Sequence, residues 1–193
     1  MKKLLLSVAL AIFVLLGANA QDNTKGLQFG VKAGYNLSNL GGDVQDNKLL
    51  SGFNVGGFVV MSLLENLMMQ LEVALSKQGT RWDDGMYNER YRLAYVNVPV
   101  LAKYKVVDRL YVEAGPQVGL LVDAQYIDDN DKEDIKDSFK TVDLSAGIGV
   151  EYKITDHLGA NARYTFGLCN INENSDTFKI NNNVLQIGGS WTF

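Results

Sequence analysis

The segment VDLSAGIGVEYK, Val142–Lys153, decides the fold class of this 193-residue chain. Its even positions are apolar, and its odd positions are polar or glycine. Because successive side chains of a β-strand point to opposite faces of the sheet, this strict alternation predicts a strand with one apolar face and excludes an amphipathic helix. The alternation alone leaves open where that face lies. A soluble sandwich buries it, whereas a membrane barrel turns it towards lipid.

The same alternation recurs along the rest of the chain. The further predicted strands cover 27–37, 52–62 (weakened by a Gly pair), 67–78, 94–106, 110–122, 158–168 and 184–193. Each has about ten residues, the length that a tilted strand needs to cross a bilayer. Long polar loops (38–51, 79–91, 123–140 and 169–183) alternate with short turns. This asymmetry predicts an all-β fold, an eight-stranded antiparallel up-and-down transmembrane β-barrel.

The N-terminus and the composition limit location and partners. Residues 1–20 have a positive start, an apolar run and an Ala-Asn-Ala cleavage pattern, so we expect a secretory signal peptide followed by one barrel domain over 21–193. Removing the two signal lysines leaves 16 basic against 22 acidic residues, a net charge near −6 that makes nucleic acid an improbable partner. Cys169 is the only cysteine, so no internal disulfide can form.

Two features favour the membrane barrel over a soluble fold. The apolar face carries aromatic residues near strand ends, where they would form two interfacial girdles. At the turn side these are Phe29, Tyr104, Tyr152, Trp191 and Phe193, and at the loop side Tyr35, Tyr164 and Phe166. Four hairpins without a covering helix would also leave sheet edges unpaired unless the sheet closed. A soluble periplasmic lipocalin-like carrier, which also has eight strands, is the rival fold.

The predicted interior face carries charges of both signs. An eight-stranded barrel is only wide enough for side chains to fill it, so these charges are expected to pair. They are Lys32, Glu72, Lys103, Lys105, Glu113, Asp143, Glu151, Lys153 and Arg163. Setting Val106 opposite Leu110 places Lys103 directly opposite Glu113, and we expect an ion pair there. In the same register Pro99 and Pro116 fall on adjacent rungs, which indicates a local bulge.

Three segments together resemble a known family. They are YVNVPVLAKY (95–104), LYVEAGPQVGLL (110–121) and the C-terminal Trp191-Thr192-Phe193. The chain from 27 to 193 is similar to the PorT-like outer-membrane β-barrel proteins of Bacteroidetes-type bacteria. The resemblance implies an outer-membrane location, and it implies that Trp191 and Phe193 belong to the signal read by the barrel-insertion machinery. It supplies no activity, although some relatives are associated with surface-protein secretion.

Candidate sites outside the lumen are few. The second long loop contains aromatic and arginine residues that could recognise a surface protein or a glycan, or could form part of an interfacial girdle. They are Arg81, Trp82, Tyr87, Arg90 and Tyr91. The acidic loop 123–140 lacks the spacing of a calcium-binding loop and reads as a solvated charge run. His157, the only histidine, lies in a predicted turn. We therefore expect it to be a solvated turn residue rather than a catalytic base.

The sequence therefore predicts a monomeric outer-membrane barrel with a plugged polar interior and a structural or surface-interaction role through its long loops. Outer-membrane lipids and the insertion machinery are the expected partners, together with an unidentified surface protein or glycan. We expect no catalytic activity, cofactor or metal. A narrow pore, or an accessory to transport or secretion, is the alternative function, and it would require lumen residues that fail to pair.

Overall fold

The computed structural model describes residues 26–44, 46–83, 88–128, 131–175 and 177–193, so the expected signal peptide lies outside the described residues. The strands are β1 Leu27–Gly42, β2 Lys48–Ser62, β3 Leu67–Asp83, β4 Asn88–Val107, β5 Leu110–Ile127, β6 Lys132–Asp134, β7 Val142–Lys153, β8 Leu158–Gly167 and β9 Ile180–Thr192. A 3₁₀ turn, Lys136–Ser138, follows β6. Within the described part of the chain, no helix is long and apolar enough to cross a membrane.

Eight long strands close into an antiparallel barrel. Each long strand pairs with the next long strand in the chain. The three-residue β6 lies outside this order and pairs only with the outer end of β5. β5 therefore pairs with β7 in the barrel wall. β1 pairs with both β2 and β9, which closes the sheet. Closure pairs every long edge, so the predicted eight-stranded barrel is confirmed.

The strands extend beyond the predicted ends on the loop side. β3 and β4 stay paired up to Asp83 and Asn88, and β1 and β9 stay paired up to Gly42 and Ile180. The predicted loops 38–51 and 79–91 are therefore mostly strand, which is a correction. Continued pairing satisfies the backbone N–H and C=O groups, and polar side chains at these positions do not oppose it.

The predicted bulge at the two prolines is wrong. Pro99 pairs with Gln117 and Ala102 with Ala114 in one unbroken register. The register shifts lie instead between Ala94 and Tyr95 and between Lys105 and Val107, so Val107 rather than Val106 faces Leu110. At the prolines the backbones approach closely, because a Cβ on Gly115 would lie 2.0 Å from the carbonyl oxygen of Val100. Glycine thus keeps β4 and β5 in register there.

The two faces of the wall differ as the alternation requires. An outward belt of exposed apolar side chains surrounds the barrel, and the exposed residues of β7 are typical: Val142, Leu144, Ile148, Val150 and Tyr152. The inward residues of the same strand, Asp143, Ser145 and Glu151, are buried. A polar interior inside an apolar belt is the arrangement of a barrel whose solvent is lipid.

Candidate functional site: the closed lumen and the outer sheet

A charge layer of six inward side chains crosses the lumen. It consists of Lys32, Glu72, Lys103, Glu113, Glu151 and Arg163, and all six are buried. Arg163 is its centre: its Nη1 and Nη2 atoms donate to the two oxygens of Glu72 at 3.0 and 2.6 Å, and its Nε donates to Glu113 Oε1 at 2.7 Å. The planar guanidinium suits such forked contacts, which a lysine could not make.

Lys103 lies opposite Glu113 in the β4–β5 register, as predicted, and 3.9 Å separates Lys103 Nζ from Glu113 Oε2. Its shorter contacts are elsewhere, at 2.8 Å to Glu151 Oε2 and 2.9 Å to Gln70 Oε1. Lys32 donates to Glu72 Oε2 at 3.0 Å. The predicted pair is therefore one contact of a network with three cations and three carboxylates. Strand-pair register cannot show contacts that reach across the lumen.

Lys105 and Lys153, which were also expected in the interior, lie at the turn-side mouth and are only partly buried. Lys105 Nζ is 3.1 Å from Asp108 Oδ1, and Lys153 Nζ is 5.5 Å from the centre of the Tyr111 ring. A cavity of about 380 Å³ opens there beside Asp108, Tyr111 and Lys153. The structure therefore separates these two lysines from the charge layer, because the last inward position of a strand is already close to water.

Asp143, the remaining predicted interior charge, is 4% exposed and lies in a separate polar layer towards the loop side. Several side-chain atoms of this layer have no hydrogen-bond partner among the described residues: Tyr95 OH, Asn97 Nδ2, Asp143 Oδ1, Thr165 Oγ1 and Asn182 Oδ1. This layer is less well satisfied than the charge layer, where Glu113 Oε2 is the one such atom described.

An apolar plug closes the loop-side mouth. Its buried members are Leu40, Leu93, Tyr95, Leu121, Ala124, Phe139 and Ile171. Phe139 and Ile171 come from segments between strands, which bond to each other where Lys140 N donates to the Ile171 carbonyl at 2.8 Å. The plug was not predicted. A signal was present, since Leu93 and Tyr95 put apolar residues on the inward face at positions where the outward face begins to carry arginine.

The predicted loop recognition cluster is split by the wall. Arg81 and Arg90 pair across β3 and β4 on the outward face, with Lys48 of β2 opposite Arg81. Trp82 and Tyr91 belong to the other face, where their rings meet edge-on at 5.2 Å. These four residues lie on strands rather than in a loop, which corrects the prediction, and Tyr87 lies outside the described residues. Tyr91 packs against the plug and Trp82 packs against Tyr91, whereas the cations form an outer row.

The C-terminal aromatics face outwards at the turn side. Trp191 and Phe193 are exposed, and Phe193 N donates to the Phe29 carbonyl at 2.9 Å. His157 stacks on Trp191 at 5.5 Å, and its Nδ1 lies 2.8 Å from the Thr192 carbonyl oxygen. The histidine therefore contacts the end of β9.

No group of His, Cys, Asp or Glu side chains in the described ranges could hold a metal ion. Along the acidic segment, Asp131 and Asp134 accept hydrogen bonds from nearby backbone N–H groups at 3.1 and 3.0 Å. Cys169 is a partly buried free thiol just beyond β8.

Comparison with known proteins agrees with this architecture. A family model described as "Outer membrane protein beta-barrel domain" matches residues 19–173. The structure is similar to Neisserial surface protein A (TM-score 0.58, 15% identity, 88% of this chain and 100% of that chain). It is also similar to Ail, the attachment invasion locus protein of Yersinia pestis (TM-score 0.52, 15% identity, 88% and 100%). No curated protein sequence matches the chain.

Proposed function

Because this chain belongs to the family of outer-membrane protein β-barrel domains and is located in the outer membrane, we propose that it is a sealed barrel that acts at the cell surface. The observation that carries this proposal is the double closure of the lumen. The charge layer fills one level with paired side chains, and the apolar plug fills another. An ion entering the lumen would have to separate the charges of Arg163 and then cross an apolar barrier, and both steps are costly.

Conductance tests the closed lumen against the alternative of a narrow pore. The mature protein would be reconstituted into planar bilayers and into vesicles loaded with a small anionic dye. We expect no stable current steps and no dye release above protein-free controls. Reproducible unitary currents would overturn the sealed-barrel proposal and favour the pore.

The surface role is assigned to the outer row of Lys48, Arg81 and Arg90, which stand on three adjacent strands. The row places three cationic side chains on neighbouring strands, with Lys48 opposite Arg81 and Arg81 opposite Arg90, and this local positive charge suits a polyanionic partner. The structure of Ail in complex with the heparin analogue sucrose octasulfate supports a polyanionic saccharide as the partner class (TM-score 0.51, 14% identity).

Adhesion to heparin-coated and uncoated surfaces would test this partner class. Cells producing the protein would be compared with cells producing Arg81→Gln/Arg90→Gln. We expect heparin-dependent adhesion that the double variant loses. Equal adhesion by both strains would contradict the assignment, provided that both barrels migrate normally before and after boiling. Catalysis and cofactors form no part of the proposed function.

The same proposal covers the subfamily to which the barrel belongs, its insertion signal and its oligomeric state. We infer a PorT-like protein from the segments 95–104 and 110–121, and deletion of the gene would then change the set of proteins displayed on the cell surface. Trp191 and Phe193 are proposed as the insertion signal, so removing Phe193 should lower the amount of barrel in the outer membrane. A monomer is expected by light scattering in detergent. An unchanged surface proteome would argue against the PorT-like assignment.

A further inference from the structure

A groove of about 440 Å³ lies at the loop-side end of the barrel wall, where β2, β3, β4, β5 and β6 meet. The outward-facing residues of these strands that line it include Phe53, Lys77, Arg92, Asp123, Gln125 and Lys132. None of them contributes to the charge layer or to the buried part of the plug. Leu93 of the plug and the buried Gln78 also line the groove, so the groove adjoins the plug while its charged lining lies outside the lumen.

The groove lies at the upper edge of the apolar belt. On β3, Lys77 is the first outward side chain after Leu75, and on β4, Arg92 precedes the outward Ala94 and Val96. Leu75 and Phe53 are exposed directly beneath the cations. Where a transmembrane wall changes from apolar to polar, the surrounding lipid changes from acyl chain to headgroup.

The groove is cationic. Lys77, Arg92 and Lys132 line it together with the single acid Asp123, which leaves a net charge of +2 among its described residues. Lys77 Nζ lies 5.1 Å from the centre of the Phe53 ring, so an aromatic face holds one cation over the belt. At the equivalent edge of the wall on β1 and β9 the outward residues are Asn39 and Asn183, which pair with each other and are uncharged.

We propose that this groove binds the terminal phosphate, a phosphate monoester, of a lipid headgroup in the outer leaflet. A guanidinium and an ammonium group provide the donors and the positive charge that phosphate oxygens require. The exposed Phe53 and Leu75 offer an apolar surface for the acyl chains of the same molecule. The positive charge and the adjoining apolar surface together favour a lipid over free phosphate. This inference depends on the membrane location and not on the proposed adhesion or on the closed lumen.

Native mass spectrometry of the detergent-solubilised mature protein would test the inference. The probes are phosphatidic acid and phosphatidylcholine with identical acyl chains, each added at the same concentration. We expect preferential retention of phosphatidic acid, and about a tenfold loss of that preference in Lys77→Gln/Arg92→Gln, because hydrogen bonds to charged groups are among the strong ones. The matched control is Lys136→Gln/Lys179→Gln, which removes two charges from segments between strands on the same side of the barrel and should retain the preference.

Three results would overturn the proposal. Equal retention of the two lipids by the wild-type protein would remove the preference altogether. An equal loss in the control variant would reduce it to a general effect of net charge. Displacement of phosphatidic acid by equimolar inorganic phosphate would identify a free-anion site. Normal heat-modifiable migration of every variant would exclude a folding defect. The result of the heparin adhesion assay with Arg81→Gln/Arg90→Gln is independent of this test.

Discussion

The charge layer and the apolar plug close the same lumen by opposite means. The charge layer is built only from strand side chains, and its stability depends on the pairing of buried charges around Arg163. The plug combines strand residues with Phe139 and Ile171 from connecting segments, and its stability depends on packing. Because the first region is part of the wall, it should fail only when the barrel unfolds. The second can open locally, since its connecting segments can leave while the wall persists.

The largest effect is expected from Arg163→Met. The substitution leaves Glu72 and Glu113 buried without their main cation, and breaking a buried pair in this way costs about 3 to 5 kcal/mol. Urea unfolding in lipid vesicles, followed by the mobility difference between folded and unfolded protein, would measure the loss. Arg163→Lys should recover part of it, because the charge remains while the forked contacts are lost. A neutral result for Arg163→Met would mean that the layer does not stabilise the barrel.

The complementary change in the plug is Ile171→Ala. Ile171 is completely buried, and truncating such a side chain removes about 2 to 5 kcal/mol of local packing. We expect faster amide hydrogen exchange in the segments around Phe139 and Ile171, with little change in the unfolding of the strands. If the global unfolding free energy fell by the full amount, the plug and the wall would be one cooperative unit and the distinction drawn between them would be wrong.

Sequence alternation was sufficient for the wall because each strand's inward residues are fixed by a period of two. That rule identified all six members of the charge layer, and the hairpin register brought Lys103 opposite Glu113. It could not identify the strongest contacts, such as Arg163 with Glu72, because they join strands that are not neighbours and depend on side-chain length.

The outer part of the molecule was predicted less well, for a related reason. Polar residues at 79–91 looked like a loop because the prediction relied on an apolar outward face. Beyond the membrane the polarity inverts: Arg81, Arg90 and Arg92 face outwards, while Trp82 and Tyr91 meet on the other face. The strands continue through this inversion, and the prediction treated the inversion as the end of the strand. The inward positions of Phe139 and Ile171 follow from tertiary packing and leave no periodic signal.

A substitution at Asp143 should stabilise the barrel, whereas those at Arg163 and Ile171 should destabilise it. This buried carboxylate lies between the two regions, and its Oδ1 atom has no hydrogen-bond partner among the described residues. We expect Asp143→Asn to raise the unfolding free energy by about 1 kcal/mol, because it removes an ionisable group from a buried site at nearly constant shape. Chemical unfolding near neutral pH would measure it. Destabilisation would show that the charge of Asp143 is compensated in the folded barrel.

The smallest effect concerns the exposed pair at the turn side. The hydrogen bond from Lys105, followed by its charge, lowers the pKa of Asp108 below the ordinary value of 3.8. A lowered folded-state pKa contributes stability above the unfolded value, and that contribution is lost as the pH falls through the folded-state value. Wild type and Asp108→Asn should therefore differ slightly at pH 5 and converge under more acidic conditions. Because exposed ion pairs contribute little, the difference in unfolding free energy should be small. A difference that widened on acidification would contradict the predicted pH dependence.

The seam between β1 and β9 has a consequence for the time course of folding. Its register runs from Gly30 opposite Thr192 to Gly42 opposite Ile180, so it joins residues 138 to 162 positions apart. Gly34 and Gly188 face each other within it and let the backbones come close. Pairings this remote in sequence carry the largest loop-closure entropy, so hairpins of neighbouring strands should form earlier. Until the seam closes, the first and last strands each keep an open edge, and the chain's exposure to misassembly lasts as long as that one step takes.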